Sequence, residues 1–227
     1  MTRLVSIIIP VFNEEQTIEK ILKQVINQSI PGWKKEIIVV NDGSTDFTKY
    51  QIAKFKKKII YIENRKNYGK GFAIRTALKK AKGEATLIQD ADLEYSPKDY
   101  PLLLKAYNKY AVVYGSRHLV KKEKRGYPFF FWGGKFLTFL VNLFYNANLT
   151  DINSGYKLFN TRLIKSLNLK ASRFEFCEEV TVKLLKKKIK IMEVPISYKP
   201  RSYKEGKKLS TKDGLTGLWT IIVECFR

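Results

Sequence analysis

Asp90-Ala91-Asp92-Leu93-Glu94 places three carboxylates at alternate positions directly after a run, residues 85–89, that reads as a strand. In an extended segment successive side chains point to opposite faces, so Asp90, Asp92 and Glu94 are expected on one side. Oxygen ligands of this kind suit Mg2+ or Mn2+ and leave coordination positions open for phosphate oxygens. A metal held there stabilises the charge on a departing diphosphate. Taken alone, a D-x-D is more often a solvated turn; its place at the end of a strand gives it weight. Pro10-Val11-Phe12-Asn13-Glu14-Glu15 follows the first strand-like run and Asn41-Asp42-Gly43-Ser44-Thr45-Asp46 the second. Each by itself is good turn and helix-cap material, but three polar clusters at one edge outline a nucleotide pocket.

Arg201, Lys204, Lys207 and Lys208 surround Gly206, a composition that suits a loop folding over phosphates or, read plainly, a solvated basic loop. Asp151 could serve as a general base. A phosphate monoester acceptor, with a second pKa of about 6, is already ionised at neutral pH and needs none, so orientation and charge balance are the expected role of Asp151. A hydroxyl acceptor would need a base, and Asp151 or Glu179 would then carry it. His118, the sole histidine, is expected to be a loop residue. No covalent nucleophile is evident, so a single inverting displacement is the expected reaction.

The elements that must position these groups alternate. Strands are expected at 5–10, 36–40, 59–63, 85–89 and 111–114, with helices at about 13–28, 44–55, 70–82 and 96–109. Asn13 with Gln16 is a candidate capping box, Gly83 a helix stop, and Ser96-Pro97 an N-cap with proline at the first helical position. Such alternation predicts an α/β fold with a single, mostly parallel, Rossmann-like sheet flanked by helices, binding its ligands at the carboxyl ends of the strands. Beyond a basic stretch at 118–125 the pattern loosens: an aromatic-rich segment at 129–149, a strand near 156–159, a helix at 175–188, a strand at 190–194 and a last helix from 211. No repeat or linker divides the 227 residues, so one catalytic domain is expected, with a nucleotide-sugar half (1–115), an acceptor half (116–210) and a C-terminal amphipathic helix (211–227).

Residues 129–149 contain one formal charge, Lys135. A single membrane span there would put Asp92 and Arg201 on opposite sides of a bilayer. The segment is therefore expected to lie on the membrane, with Phe136, Phe139, Leu140, Leu143 and Phe144 at helical spacing, as are Leu215, Leu218, Trp219, Ile222 and Phe226; packing as ordinary core helices is the competing expectation. Lys and Arg number 43 against 21 Asp and Glu, a net charge of +22, which attracts polyanions. Nucleic acid is one, but no zinc-finger spacing or RNP-like run is present; anionic lipid and phosphate-rich substrates are the others. Gly69-x-Gly71 lacks the third glycine of a dinucleotide fingerprint, Ile74 standing there. Two unpaired cysteines and no secretory h-region after Met1 lead to the expectation of a cytoplasmic protein, peripheral on the inner face of a membrane.

PVFNEE at 10–15, VVNDGSTD at 39–46, NYGKGFA at 67–73, DADLE at 90–94, GSR at 115–117, LTDINSGYKLF at 149–159 and EVPISYKPRSYKEGKKLS at 193–210 together resemble a family 2 glycosyltransferase of GT-A fold, and more closely the polyprenyl-phosphate or dolichol-phosphate mannose and glucose synthase type. The resemblance implies an inverting transfer of a hexose from a nucleotide sugar of the GDP-mannose or UDP-glucose type to a polyprenyl or dolichyl phosphate, with Mg2+ or Mn2+. It implies that Pro10, Phe12, Glu14, Asn41 and Asp42 contact base and ribose, and that Asp90 and Asp92 bind ribose and metal. Lys70, Ala91, Arg201 and Lys207 join the nucleotide-sugar set. Glu94, where the subgroup often has Gln, joins the metal ligands. Arg117 and Arg201 resemble arginines that hold acceptor phosphate and donor diphosphate, and Arg125 and Lys135 extend the acceptor-phosphate set. Another family 2 enzyme, acting on a saccharide or other hydroxyl, is the alternative. The oligomeric state is left open.

Overall fold

The computed structural model describes residues 2–120, 127–202, 206, 208 and 210–226. One seven-stranded sheet runs through it in the order β3-β2-β1-β4-β6-β5-β7: β1 (Arg3–Val11), β2 (Trp33–Asn41), β3 (Ile60–Glu63), β4 (Ala85–Ile88), β5 (Val112–Ser116), β6 (Lys157–Asn160) and β7 (Met192–Pro195). All neighbours pair in parallel except β6, which is antiparallel to both β4 and β5. The helices are α1 (Ile18–Asn27), α2 (Thr48–Ala53), α3 (Lys70–Leu78), α4 (Tyr100–Tyr107), α5 (Pro128–Tyr145), α6 (Thr161–Ser166), α7 (Phe176–Lys186) and α8 (Thr211–Phe226).

Period-two alternation divides the apolar residues of the strands between the two faces of the sheet. Val5, Ile7 and Ile9 of β1 and Val39 of β2 pack with Ile21 and Leu22 of α1 and Leu103 of α4. Ile8, Ile38 and Val40 point the other way, onto Ile74 of α3 and Val180 of α7. A smaller cluster of Leu137, Val141, Leu149, Ile152, Val182 and Ile221 joins α5, α7 and α8. Each such fully buried aliphatic chain contributes about 1.5–3 kcal/mol relative to exposure.

Several boundaries differ from the sequence pattern, for identifiable reasons. Asn13 does not cap α1; it takes φ 48°, a left-handed conformation that Asn tolerates, and its Oδ1 accepts from Thr45 N at 2.8 Å. Ser44 Oγ accepts from Asn13 N at 2.9 Å. Ser44 and Thr45 thus tie the second loop to the first instead of starting a helix, and α2 begins at Thr48. Ser96 does cap, accepting from Lys98 N, but opens a short 3-10 turn, Pro97–Asp99, before α4.

α5 and α8 are not core helices all round. α5 buries Leu137, Thr138 and Val141, while Phe129, Trp132, Phe136, Phe139, Leu143 and Phe144 remain about half or more exposed, between 49% and 66%. On α8, Leu215 and Trp219 are 68% and 66% exposed, and Ile221 points inward. Of the expected apolar stripes, Phe136, Phe139, Leu143, Phe144, Leu215, Trp219 and Phe226 face outward, whereas Leu140 and Ile222 are half-buried and Leu218 packs on the buried seam. Among the described residues no helix is long and apolar enough to cross a membrane.

Candidate active site

The carboxyl ends of β1, β2 and β4 open on one side of a cavity of about 810 Å3, whose other wall comes from α5, α7 and α8. Pro10, Phe12, Glu14, Asp42, Lys70 and Asp90-Ala91-Asp92 line the sheet side. Asn41 lies just behind, 1% exposed, with its Oδ1 accepting from Ser44 N at 3.1 Å and its amide donating to the Tyr61 hydroxyl at 3.2 Å. Asp42 is 2% exposed and accepts from Asn64 Nδ2 at 2.6 Å, Tyr68 N at 3.0 Å and Gly69 N at 2.7 Å. It thereby fastens the loop that presents Lys70.

Asp90 to Glu94 is a tight turn rather than an extended segment. Leu93 takes φ 63°, and Asp92 Oδ1 accepts from Glu94 N at 3.0 Å, so the three carboxylates do not share one face by strand alternation. Asp90 pairs with Lys70 Nζ at 2.5 Å, and Glu94 Oε1 accepts from Arg201 N at 2.9 Å. Gly155 is required beside Asp90, because a Cβ there would collide with the carboxylate. Burial, together with the charges of Asp90 and Glu94, pushes the Asp92 carboxyl up to about 7 against the counter-pull of Arg201. Burial alone would lower the Lys70 ammonium, but the Asp90 carboxylate outweighs it and the net shift is upward.

The basic segment after β7 folds over this edge. Arg201 donates to both Glu14 oxygens at 2.9 and 3.1 Å and lies 3.4 Å from Asp92 Oδ2. Lys208 Nζ reaches Glu14 Oε1 at 2.6 Å, Asn13 O at 2.9 Å and also the Phe12 carbonyl. Two cations thus rest on the Glu14 carboxylate at this edge. Lys207 and Arg125 lie outside the described residues.

Arg117 also lines the cavity and is gripped by Asp151 through two guanidinium bonds of 2.7 Å and a backbone bond of 3.0 Å. Asp151, 2% exposed, is not among the lining residues. Burial would raise its carboxyl, but Arg117 wins and holds it below the ordinary value. Lys135 is away from the cavity lining, with Nζ 5.8 Å from the Phe131 ring centre. His118 lines the cavity and meets Phe131 edge-on at 5.5 Å. Glu179 accepts from Lys170 N, Ala171 N and Lys183 Nζ, which commits it to holding the loop before α7.

Glu178 and Asn153 also line the cavity, and the motif reading passed over both. The signal for Glu178 was present: with Val182 and Leu185 it falls at i, i+4 and i+7 on the apolar stripe of α7, whereas Glu179 shares a polar stripe with Lys183 and Lys186.

The glycosyl transferase family 2 model matches residues 6–167, more than half of the chain. This chain belongs to that family. Its relatives include an uncharacterised protein of Methanocaldococcus jannaschii, MJ1222, 32% identical over 97% of this chain and 91% of its own length. A UDP-N-acetylglucosamine–dolichyl-phosphate N-acetylglucosaminyltransferase of Methanococcus voltae is 32% identical over 86% of this chain and 85% of its own. The dolichol-phosphate mannosyltransferase of Pyrococcus furiosus is 28% identical over 89% of this chain but only 58% of its own length. Among solved structures, glucosyl-3-phosphoglycerate synthase of Mycobacterium tuberculosis, in complex with Mn2+, UDP and glucosyl-3-phosphoglycerate, superposes with a TM-score of 0.76 over 99% of this chain and 80% of that one, at 19% identity. The family 2 glycosyltransferase fold, GT-A, is thereby established for the single mostly parallel sheet described above.

Proposed function

We propose that this family 2 glycosyltransferase moves a hexose from a nucleotide sugar to a polyprenyl or dolichyl phosphate at a membrane surface. The observation that carries the reading is the continuity of one cavity. It runs from Lys70, Asp90 and Asp92, past Arg117, to the aromatic residues Phe129, Phe131 and Phe136 of α5, whose outer face is exposed. Relatives named for dolichyl-phosphate acceptors support the same substrate class. The whole chain is read as one catalytic domain, on the cytoplasmic side and peripheral to an anionic bilayer, with no nucleic-acid partner.

On the donor side Pro10, Phe12, Glu14, Asn41 and Asp42 shape the base and ribose site, and Lys70 and Ala91 the path to the diphosphate. Among the described residues no three His, Cys, Asp or Glu side chains gather closely enough to hold a metal by themselves. Asp90 and Asp92 nevertheless fit a shared divalent cation: they are hard oxygen donors, and Asp92 carries negative charge that its surroundings leave under-compensated, as its raised carboxyl indicates. Mg2+ or Mn2+ would be held by Asp92, Asp90 and Glu94, and would supply charge neutralisation of the leaving diphosphate.

Arg201 and Lys208 exchange carboxylate partners for donor phosphates, and Lys207 is read as a further donor-phosphate cation. Arg117 receives the acceptor phosphate, and Asp151 fixes its guanidinium plane. Arg125 and Lys135 stand as further acceptor-side cations. An ionised phosphate attacks the anomeric carbon without a base, so catalysis rests on positioning and electrostatics, and an α-linked donor gives a β-linked product. The hydroxyl-acceptor reading keeps one supporting observation: with Asp151 and Glu179 both committed to other groups, Glu178 is a cavity-lining carboxylate on the acceptor side. The deciding experiment incubates the protein with a panel of GDP- and UDP-sugars, polyprenyl phosphate and Mn2+ or Mg2+. Metal-dependent formation of a β-linked glycosyl phospholipid is expected, and transfer only to free saccharides would refute the lipid acceptor.

A further inference from the structure

β5 ends at Ser116, so Arg117 leaves the sheet and must be fixed by something other than the strand ladder. An arginine side chain carries about 2 kcal/mol of rotamer entropy, and Asp151 holds this one by both its guanidinium and its backbone amide. Asp151 lies on the loop between α5 and β6. The placing of Arg117 is therefore only as good as the placing of that loop.

Glu193, a half-buried residue of β7, holds the loop. Its Oε1 accepts from Asp151 N at 2.9 Å, and its Oε2 from Thr150 N at 2.7 Å and Thr150 Oγ1 at 3.0 Å. β7 pairs in parallel with β5, Glu193 beside Tyr114, so the carboxylate rides on the neighbour of the strand that delivers Arg117. The hydroxyl bond also sets a direction. Because Thr150 gives its hydrogen to Glu193, its oxygen is left to accept, and in the 2.6 Å contact with Ser116 Oγ the serine is the donor. Ser116 Oγ in turn accepts from His118 N at 3.2 Å. Glu193 thus frames Arg117 from both sides, through Asp151 and through Thr150 and Ser116. Three donors converge on it, which suits an acceptor-only carboxylate; the amide nitrogen of a glutamine would face one of two backbone N–H groups. Neither Glu193 nor Thr150 lines the cavity, so their influence on transfer must pass through the residues they hold.

We propose that Glu193 is a positioning residue for the acceptor: its carboxylate sets Thr150 and Asp151, and through them the Arg117 guanidinium, in the place where an acceptor phosphate is bound. The inference rests on the reading of Arg117 as an acceptor-phosphate ligand. A guanidinium meets phosphate by parallel N–H bonds in one plane, so its orientation matters in a way that of a point charge does not. The donor-side cations are held elsewhere, Lys70 by Asp90 and Arg201 by Glu14. Loss of Glu193 should therefore fall on one substrate and spare the other.

The test uses the full chain with Mn2+, the panel of GDP- and UDP-sugars as donors and polyprenyl phosphate as acceptor, and follows each substrate separately. Glu193→Gln is expected to lower kcat/KM for polyprenyl phosphate roughly ten- to hundredfold, while UDP or GDP binding and the donor KM stay within about twofold. A double-mutant cycle shows whether the effect passes through Arg117: Arg117→Lys alone should lower the acceptor kcat/KM, and adding Glu193→Gln to it should cost no more than about threefold further. Should Glu193→Gln fail to melt cooperatively, Thr150→Val, which removes only the hydroxyl bonds, carries the same comparison with a smaller loss. Equal losses for donor and acceptor overturn the proposal, as does an unchanged acceptor kcat/KM. So does a Glu193→Gln loss of the same size with and without Arg117→Lys, which would make Glu193 a residue of general structure. If Arg117→Lys uses polyprenyl phosphate as well as the unchanged protein does, the acceptor reading of Arg117 falls, and the role of Glu193 with it.

Discussion

At the scale of single residues, the same side-chain type does different work according to what faces it. Asp42 spends its carboxylate on three protein donors, whereas Asp92 is lifted to about 7 by burial and, next, by two neighbouring carboxylates. Asp92→Ala should therefore abolish metal-dependent transfer, a loss of at least about a hundredfold, while the fold survives; retention of turnover and of Mn2+-dependent nucleotide binding by the purified variant would refute the assignment. Glu178 makes a stability prediction of known sign. Its folded-state value of about 7 lies above the unfolded carboxylate value, so the folded chain binds the extra proton and stability falls as pH rises between the two values. The cost approaches about 3 kcal/mol by pH 8, before discounts for relaxation. Urea unfolding at pH 5 and pH 8 should show a smaller alkaline loss for Glu178→Gln than for the unchanged protein, the contribution of Asp92 being common to both. Asp151 runs the other way: its depressed carboxyl stabilises above the ordinary carboxylate range and the benefit is lost as pH falls through it.

At the scale of elements, the sequence was legible where period and punctuation agreed. The βα alternation located β1 to β5 and placed three polar clusters at one edge, which is where the cavity opens. It failed where tertiary contacts override local pattern. Strand alternation could not foresee that Leu93 turns the backbone left-handed, so that a tight turn and not an extended segment presents the carboxylates, nor that Asn13 binds the next loop instead of its own helix. Glu178 was hidden by its neighbour, since two adjacent glutamates point to different stripes of one helix and only the apolar company of Val182 marks the inward one. For α5 the spacing gave the stripe, while its direction, interfacial or core, came only from the argument that a span would split the site. Phe136 and Phe139 are 53% and 58% exposed, so replacing both with Asp should leave the melting temperature within a few degrees while lowering transfer to long-chain polyprenyl phosphate about tenfold or more. Unfolding of the double variant, or undiminished activity on the lipid, would each reject the interfacial role.

At the scale of the whole molecule, the chain carries a net charge of +22, while the cavity lining mixes carboxylates and cations. Each Lys or Arg close to an anionic bilayer contributes about 1 kcal/mol, so a handful would hold the protein reversibly. Flotation with phosphatidylserine-containing vesicles should fall steeply as salt is raised, and neutral vesicles should retain far less protein; binding insensitive to both would point to a purely apolar attachment.

The antiparallel strand β6 bears on how the chain is made. As the polypeptide leaves the ribosome, β1 to β4 can assemble in order, each beside a strand already synthesised. β5 cannot: its neighbours are β6 and β7, and both come later. It must wait, an unpaired and wholly buried-type strand of Val112, Val113 and Tyr114, while the aromatic α5 emerges behind it. Only when β6 turns back between β4 and β5 do the nucleotide and acceptor walls become one sheet. Insertion of β6, followed by the pairing of β7 with β5, therefore joins the two halves of the sheet late in synthesis, and nascent chains halted before residue 157 should carry a sticky half-sheet with no catalytic cleft.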